Sequence, residues 1–139
     1  MRHSVQRFLK SRDGTTSLEF AVIGPVFVLL LLGIFSAALL LWSKAAVQLA
    51  ASQAARCVAV RSADCSDPDA YVSSILETWG VSAMVKLDPV SVQADTSCNR
   101  TTGRFSSVTV TGTGNVGSGY VNPFANVILT ASACYPSKV

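Results

Sequence analysis

One carboxylate, four cysteines and one histidine bound the chemistry open to this chain. Glu19 stands at the edge of an uncharged stretch of 23 residues, Phe20 to Trp42. An ionised carboxylate in that position is costly without a cationic partner. Cys57, Cys65, Cys98 and Cys134 all follow the stretch. Four cysteines allow three pairings. The expected one joins Cys57 to Cys65, closing a short loop, and Cys98 to Cys134, joining two strand-rich segments. Zinc is the competing use, but there is no C-x-x-C knuckle and the only histidine is His3, so no metal or other cofactor is expected. With the histidine ahead of the stretch, no Ser-His or Cys-His pair can form beyond it. The acids Asp64, Asp67, Asp69, Glu77, Asp88 and Asp95 show no ligand-spaced cluster. An enzyme is therefore the least favoured class.

The elements that position these residues begin with the span itself. At about 1.5 Å per residue the apolar stretch covers about 34 Å, enough for a hydrocarbon core of roughly 30 Å. Arg2, Arg7, Lys10 and Arg12 precede it and only Lys44 lies close behind. The positive-inside rule then leaves the N-terminus cytoplasmic and translocates residues 43–139, where disulfides persist. Beyond residue 14 the chain holds seven basic and seven acidic residues. The basic balance thus belongs to the N-terminal segment and gives no argument for nucleic-acid binding. A cleaved secretory signal is the competing reading, kept open by small residues at Ala37–Ala38 and Ala45–Ala46. Against it stand the length of the apolar run and the carboxylate that opens it.

From Thr15 the chain reads as helix, with a kink expected at Pro25, which cannot donate to the carbonyl of Ala21. The helical pattern continues past Trp42. Lys44, Gln48, Ser52 and Arg56 recur every four residues as one polar stripe, and alanines fill much of the rest up to Val60. Such a face lets other helices approach closely, unless it packs only on its own domain. A second helix has Asp67 as N-cap, Pro68 in the first position and Gly80 as its stop. Ala70, Tyr71, Ile75, Leu76 and Trp79 are its expected core contacts. Alternation at Val90–Ala94, Val108–Thr111 and Leu129–Ala133 marks strands. Gly112, Gly114, Gly117 and Gly119, with Asn115 and Asn122-Pro123, are expected to form a long loop. The fold class is α+β: a long N-terminal transmembrane helix extends into a small extracytoplasmic domain with a short helix and a small antiparallel sheet. The expected organisation is a basic segment 1–14, a transmembrane and membrane-proximal helix 15–60, and an α+β domain 61–139. So small a domain benefits from disulfide staples.

The segment from Asp13 to Phe27, with Gly14, a small-residue spacer, Glu19-Phe20-Ala21 and the early Pro25, resembles the start of TadE-like proteins. These are minor pilins or pseudopilins of the tight-adherence (Tad) pilus. The resemblance is strong over residues 12–60. It extends to the Val-Thr-Val-Thr strand, the Asn-Pro-Phe loop and the Ile-Leu-Thr-Ala-Ser-Ala ending over 105–134. The Gly-Ser-Gly-rich loop at 112–119 and the four cysteines depart from the family pattern.

The resemblance implies that a prepilin peptidase cuts between Gly14 and Thr15, making Glu19 the fifth residue of the mature chain. Glycine before the cut presents no side chain to clash and no preference for helix, which suits an extended segment. The new α-amine of Thr15, with a reference pKa of roughly 7.7–8.0, is mostly protonated at neutral pH. Thr15 and Glu19 are i and i+4, so amine and carboxylate can pair within one helix or between subunits, registering each incoming subunit. Phe20 is expected to anchor the interface or pack in the helix bundle. The implied partners are other pilin and minor-pilin subunits, the prepilin peptidase, the inner-membrane pilus platform and membrane lipid, with no nucleic acid. The implied location is the bacterial inner membrane, single-pass, with possible incorporation in a surface pilus. The competing function is an uncleaved single-pass assembly factor of the same machinery.

Overall fold

A computed structural model describes residues 13–62, 65–98, 101–115 and 125–137. The element order is α1 (Asp13–Val60), α2 (Pro68–Thr78), β1 (Val85–Leu87), β2 (Ser91–Cys98), β3 (Thr101–Asn115) and β4 (Ala125–Pro136). Two compact units divide between Phe35 and Ser36, within α1. In the first, α1 carries an apolar surface with no cover: Leu18, Phe20, Ile23, Leu29 and Leu32 are all exposed. Its most apolar window has a mean hydropathy of 2.6 and none of it is buried, so by length and composition the helix can cross a membrane. Pro25 lies inside the helix, which continues through it.

The second unit is an α+β domain whose core is built on small side chains. Ala46, Val47, Ala50, Ala51, Ala54 and Ala55 of α1 are buried, at the i, i+3, i+4 spacing of one helix face. They meet Val72, Ile75 and Leu76 of α2, Val81 of the following turn, and Val85, Val108, Val110, Leu129 and Ala131 of the sheet. The alanine face is therefore occupied by the chain's own sheet and second helix, and does not lie open for helices of other subunits. Alanine is suited to this because a missing side chain brings backbone and sheet into direct contact. The stripe of Lys44, Gln48, Ser52 and Arg56 is exposed and flanks this face, with the Gln48 amide N–H donating to the Ser132 carbonyl of β4 (3.4 Å).

Both helices end in the same backbone device. At the end of α1, Ser62 N–H donates to the Cys57 carbonyl and Arg61 N–H to that of Val58. Arg61 adopts φ 55° to make the turn. At the end of α2, Val81 N–H donates to the Leu76 carbonyl and Gly80 N–H to that of Glu77, with Gly80 at φ 68°. This is the Schellman arrangement, which satisfies the last free carbonyls. In α2 it also brings Val81 back against Leu76 in the core. At its start α2 has the expected cap: Asp67 Oδ1 accepts from Asp69 N–H (3.1 Å) and Ala70 N–H (3.2 Å). Its core face is Val72, Ile75 and Leu76. Ala70 and Trp79, expected in the core, are exposed.

The sheet is antiparallel and centred on β3. β4 pairs along its outer length, from Phe105↔Pro136 to Asn115↔Ala125. β2 pairs with Thr101–Thr109 and β1 with Gly112–Gly114, so they share the remaining edge of β3 in succession. The break between them is Asp88-Pro89, where Asp88 N–H still donates to the Thr111 carbonyl. Val90 N–H donates instead to Asp69 Oδ1 on α2 (2.7 Å). Strand alternation turns Val108 and Val110 inward, each contributing about 1.5–3 kcal/mol of burial.

Gly112 and Gly114, expected in a loop, are buried residues of β3. A Cβ on Gly112 would stand 2.9 Å from Val85 Cγ1 and 3.0 Å from the Lys86 carbonyl oxygen, and one on Gly114 3.3 Å from Leu129 Cδ1. These glycines let side chains of β1 and β4 close over the middle strand, a role that looks like loop composition in the sequence. Gly117, Gly119 and Asn122-Pro123 lie outside the described residues.

Candidate functional site

The residues singled out at the N-terminus fall on consecutive turns of α1. Gly14 and Thr15 are helical, so the bond between them lies in the first turn of Asp13–Val60. The expected extended segment is thus wound into helix in this form of the chain. A first turn is held by few backbone bonds, and glycine weakens it further. Thr15 and Glu19 are one turn apart on the same side of the helix. Glu19 and Phe20 are exposed, and the Phe20 ring lies over Gly24, where a Cβ would be 3.8 Å from Phe20 Cε1. Leu18, Glu19, Val22 and Ile23 line an open groove of about 340 Å³ on the helix surface. One carboxylate is therefore displayed among bulky apolar side chains, the arrangement that most rewards a cationic partner brought by another chain or made on this one.

The cysteines are bonded in two pairs, Cys57 with Cys65 (Cα–Cα 6.0 Å) and Cys98 with Cys134 (Cα–Cα 6.3 Å). The first ties the last turn of α1 to the approach to α2. The second links β2 and β4, which lie on opposite edges of β3. Beside the first pair, Gln53, Arg56, Cys57, Val60, Ser62 and Tyr71 line a shallow cavity of about 370 Å³. Among the described residues no three His, Cys, Asp or Glu side chains gather as a metal site would require.

The domain also joins two residues that sequence reasoning had treated separately. Trp42 closes the apolar stretch and Trp79 follows α2, yet their ring centroids are 5.5 Å apart with planes inclined at 53°. The Trp42 indole N–H donates to the Trp79 carbonyl (3.4 Å). The available signal was that these are the chain's two tryptophans, each at the end of a helical run.

With this geometry in place, comparison with known proteins adds one finding. Residues 14–56 match the family of TadE-like proteins. The matched segment opens on Gly14, contains Glu19, Phe20 and Pro25, and runs to Arg56, the last residue of the polar stripe. No curated protein and no solved structure matches the chain. Over these residues the chain is similar to TadE-like proteins, pilin-like proteins associated with the Tad pilus.

Proposed function

We propose that the chain is a minor pilin or pseudopilin of a Tad-type pilus, cut between Gly14 and Thr15 and needed for pilus assembly in adhesion or secretion. One observation supports the reading: the family match opens on Gly14, and Glu19 stands five residues on, at the head of an exposed apolar helix. The prepilin peptidase removes the basic segment and frees the Thr15 amine. That amine is a cation one helical turn from Glu19, or within reach of the Glu19 of a neighbouring subunit. Pairing neutralises a carboxylate that is otherwise stranded beside Leu18, Val22 and Ile23, and it does so in one axial register only. Phe20 and the large apolar side chains up to Leu32 supply contact with lipid and with other pilin subunits. The N-terminus faces the cytoplasm, the domain lies on the far side of the inner membrane, and the pilus platform receives the subunit from the bilayer.

The uncleaved assembly factor is favoured by one specific feature, the winding of Gly14–Thr15 into α1. Intact mass and N-terminal sequencing of the protein from native membranes separate the two. A start at Thr15 supports processing, and a start at Met1 overturns it in favour of the assembly factor. For the assembly role, Glu19→Ala is expected to abolish incorporation into pili while membrane insertion is unchanged. Normal pilus yield from that variant would refute the registering role.

A further inference from the structure

Neither tryptophan of this chain is in the core: Trp42 is 49% exposed and Trp79 41%. The fold nevertheless spends a tertiary contact and a hydrogen bond on holding them together at one end of the domain. On another side of α1 at the same level, Leu41 (67% exposed) and Lys44 share a groove of about 390 Å³ with the start of β4, where Ile128 is 72% exposed. Exposed large apolar side chains thus sit on both sides of the helix, at the height where its uncharged run ends. The opposite end of the domain is polar. There the Cys57–Cys65 bond joins α1 to α2, and Arg56, Arg61, Asp67 and Asp69 are all exposed.

We propose that the tryptophan end of the domain is seated in the headgroup layer of the bilayer, with Trp42, Trp79, Leu41 and Ile128 immersed and phospholipid as the partner. The inference rests on reading Phe20–Trp42 as a membrane span and adds to it a contact surface from the end of α2 and the start of β4. Three observations select lipid as the occupant. The surface is continuous with the span, because Trp42 belongs to both. Its chemistry is that of the membrane interface, where amphipathic indoles concentrate. Its charge pattern fits: the chain has no charged residue from Phe105 to Ser137, which covers the whole of β4 and all of β3 beyond Arg104. The ionisable groups nearest in sequence are Lys44, Glu77 and Lys86, all exposed, and both lysines have stems long enough to carry the ammonium into the headgroups. Seating the domain in this way fixes its orientation to the membrane before any partner subunit binds. It also fixes the height of the polar stripe that begins at Lys44.

The chain supplies its own probes. In Trp42→Phe the only indole is Trp79, and in Trp79→Phe it is Trp42. Each full-length variant is reconstituted at low protein density in phosphatidylethanolamine–phosphatidylglycerol vesicles, with and without phospholipid brominated near the headgroup end of its acyl chains. Both indoles are expected to lose emission to the brominated lipid, to emit at shorter wavelength than in detergent-free buffer, and to resist aqueous acrylamide. Ile128→Trp, made in a chain with both native tryptophans changed to Phe, should behave likewise. Quenching of Trp42 but not Trp79 by the brominated lipid overturns the seating and leaves the span intact. Absence of quenching at both positions overturns the span as well. Shielding of Trp79 from acrylamide without lipid quenching, growing with protein density, also overturns the proposal, since the surface would then be covered by another protein chain.

Discussion

The two disulfides offer the sharpest quantitative test of how this small domain is held together. Each bridge constrains the unfolded chain in proportion to the logarithm of the loop it closes. The sequence separations are 8 residues for Cys57–Cys65 and 36 for Cys98–Cys134. The entropy removed from the unfolded state then corresponds to about 2.5 kcal/mol for the short loop and about 3.8 kcal/mol for the long one. Packing does not separate the two bridges: Cys98 is buried but Cys134 is exposed, and Cys57 and Cys65 are both half-buried. The double variant Cys98→Ala/Cys134→Ala should therefore lose more stability than Cys57→Ala/Cys65→Ala, by about 1.3 kcal/mol, or roughly 5–10 °C in Tm for a domain of this size. The assay is thermal unfolding of the full chain in detergent, followed by near-ultraviolet circular dichroism. The tilted Trp42–Trp79 pair makes that signal specific to domain packing rather than to the apolar helix. An equal or larger loss from the 57–65 variant would refute the reasoning. It would mean that clamping the end of α1 in the native state outweighs restriction of the unfolded chain.

Three further substitutions test local features, each read as a shift in the same melt. Asp67→Ala removes the side chain that accepts from Asp69 and Ala70 N–H, and should cost about 1 kcal/mol; no change would show that α2 needs no cap. Gly112→Ala pushes a methyl to 2.9 Å from Val85 Cγ1 and 3.0 Å from the Lys86 carbonyl, for a loss of about 1–3 kcal/mol; a neutral result would place Gly112 in a loop after all. Arg61→Gly relieves a side chain held at φ 55° and should stabilise by about 0.5–1 kcal/mol, the left-handed strain exceeding the added freedom of the unfolded chain; destabilisation would mean the arginine side chain contributes more than its backbone costs.

Legibility in the sequence followed the number of signals each element carried. The second helix had three, Asp67, Pro68 and Gly80, and its described ends fall on them. The end of α1 was legible at Val60 from the end of the alanine-rich helical pattern and without a capping signal, because its left-handed position is filled by Arg61 in place of glycine. The inward residues of β3 were readable as Val108 and Val110, yet the strand runs on through Gly112 and Gly114. There the small residue is demanded by Val85 and Leu129 overhead, a requirement no local pattern expresses. The three-residue β1 was too short to show alternation. At the N-terminus the positions of Glu19, Phe20 and Pro25 were legible as a motif. The tryptophan pair was not, since it depends on α2 returning antiparallel to α1 and so joins positions 37 apart.

Side-chain size along α1 sorts the helix by what it touches. Where the partner is the chain's own sheet, the buried positions are mostly alanine, from Ala46 to Ala59, which permits close approach but buries little area per residue. A core of that kind needs the help of covalent staples, and the domain has two. Where α1 is uncovered by the described residues, from Leu18 to Leu32, the large apolar side chains are exposed. On the proposed function, the reward for that size lies in lipid and in neighbouring helices. Apolar contact of this type is strong but tolerant of sliding, because one leucine serves as well as the next. A single carboxylate in such a surface removes the tolerance, since only one axial position brings a cation to it. On the proposed function, bulk for affinity and Glu19 for register are complementary requirements of a subunit added one at a time from a membrane.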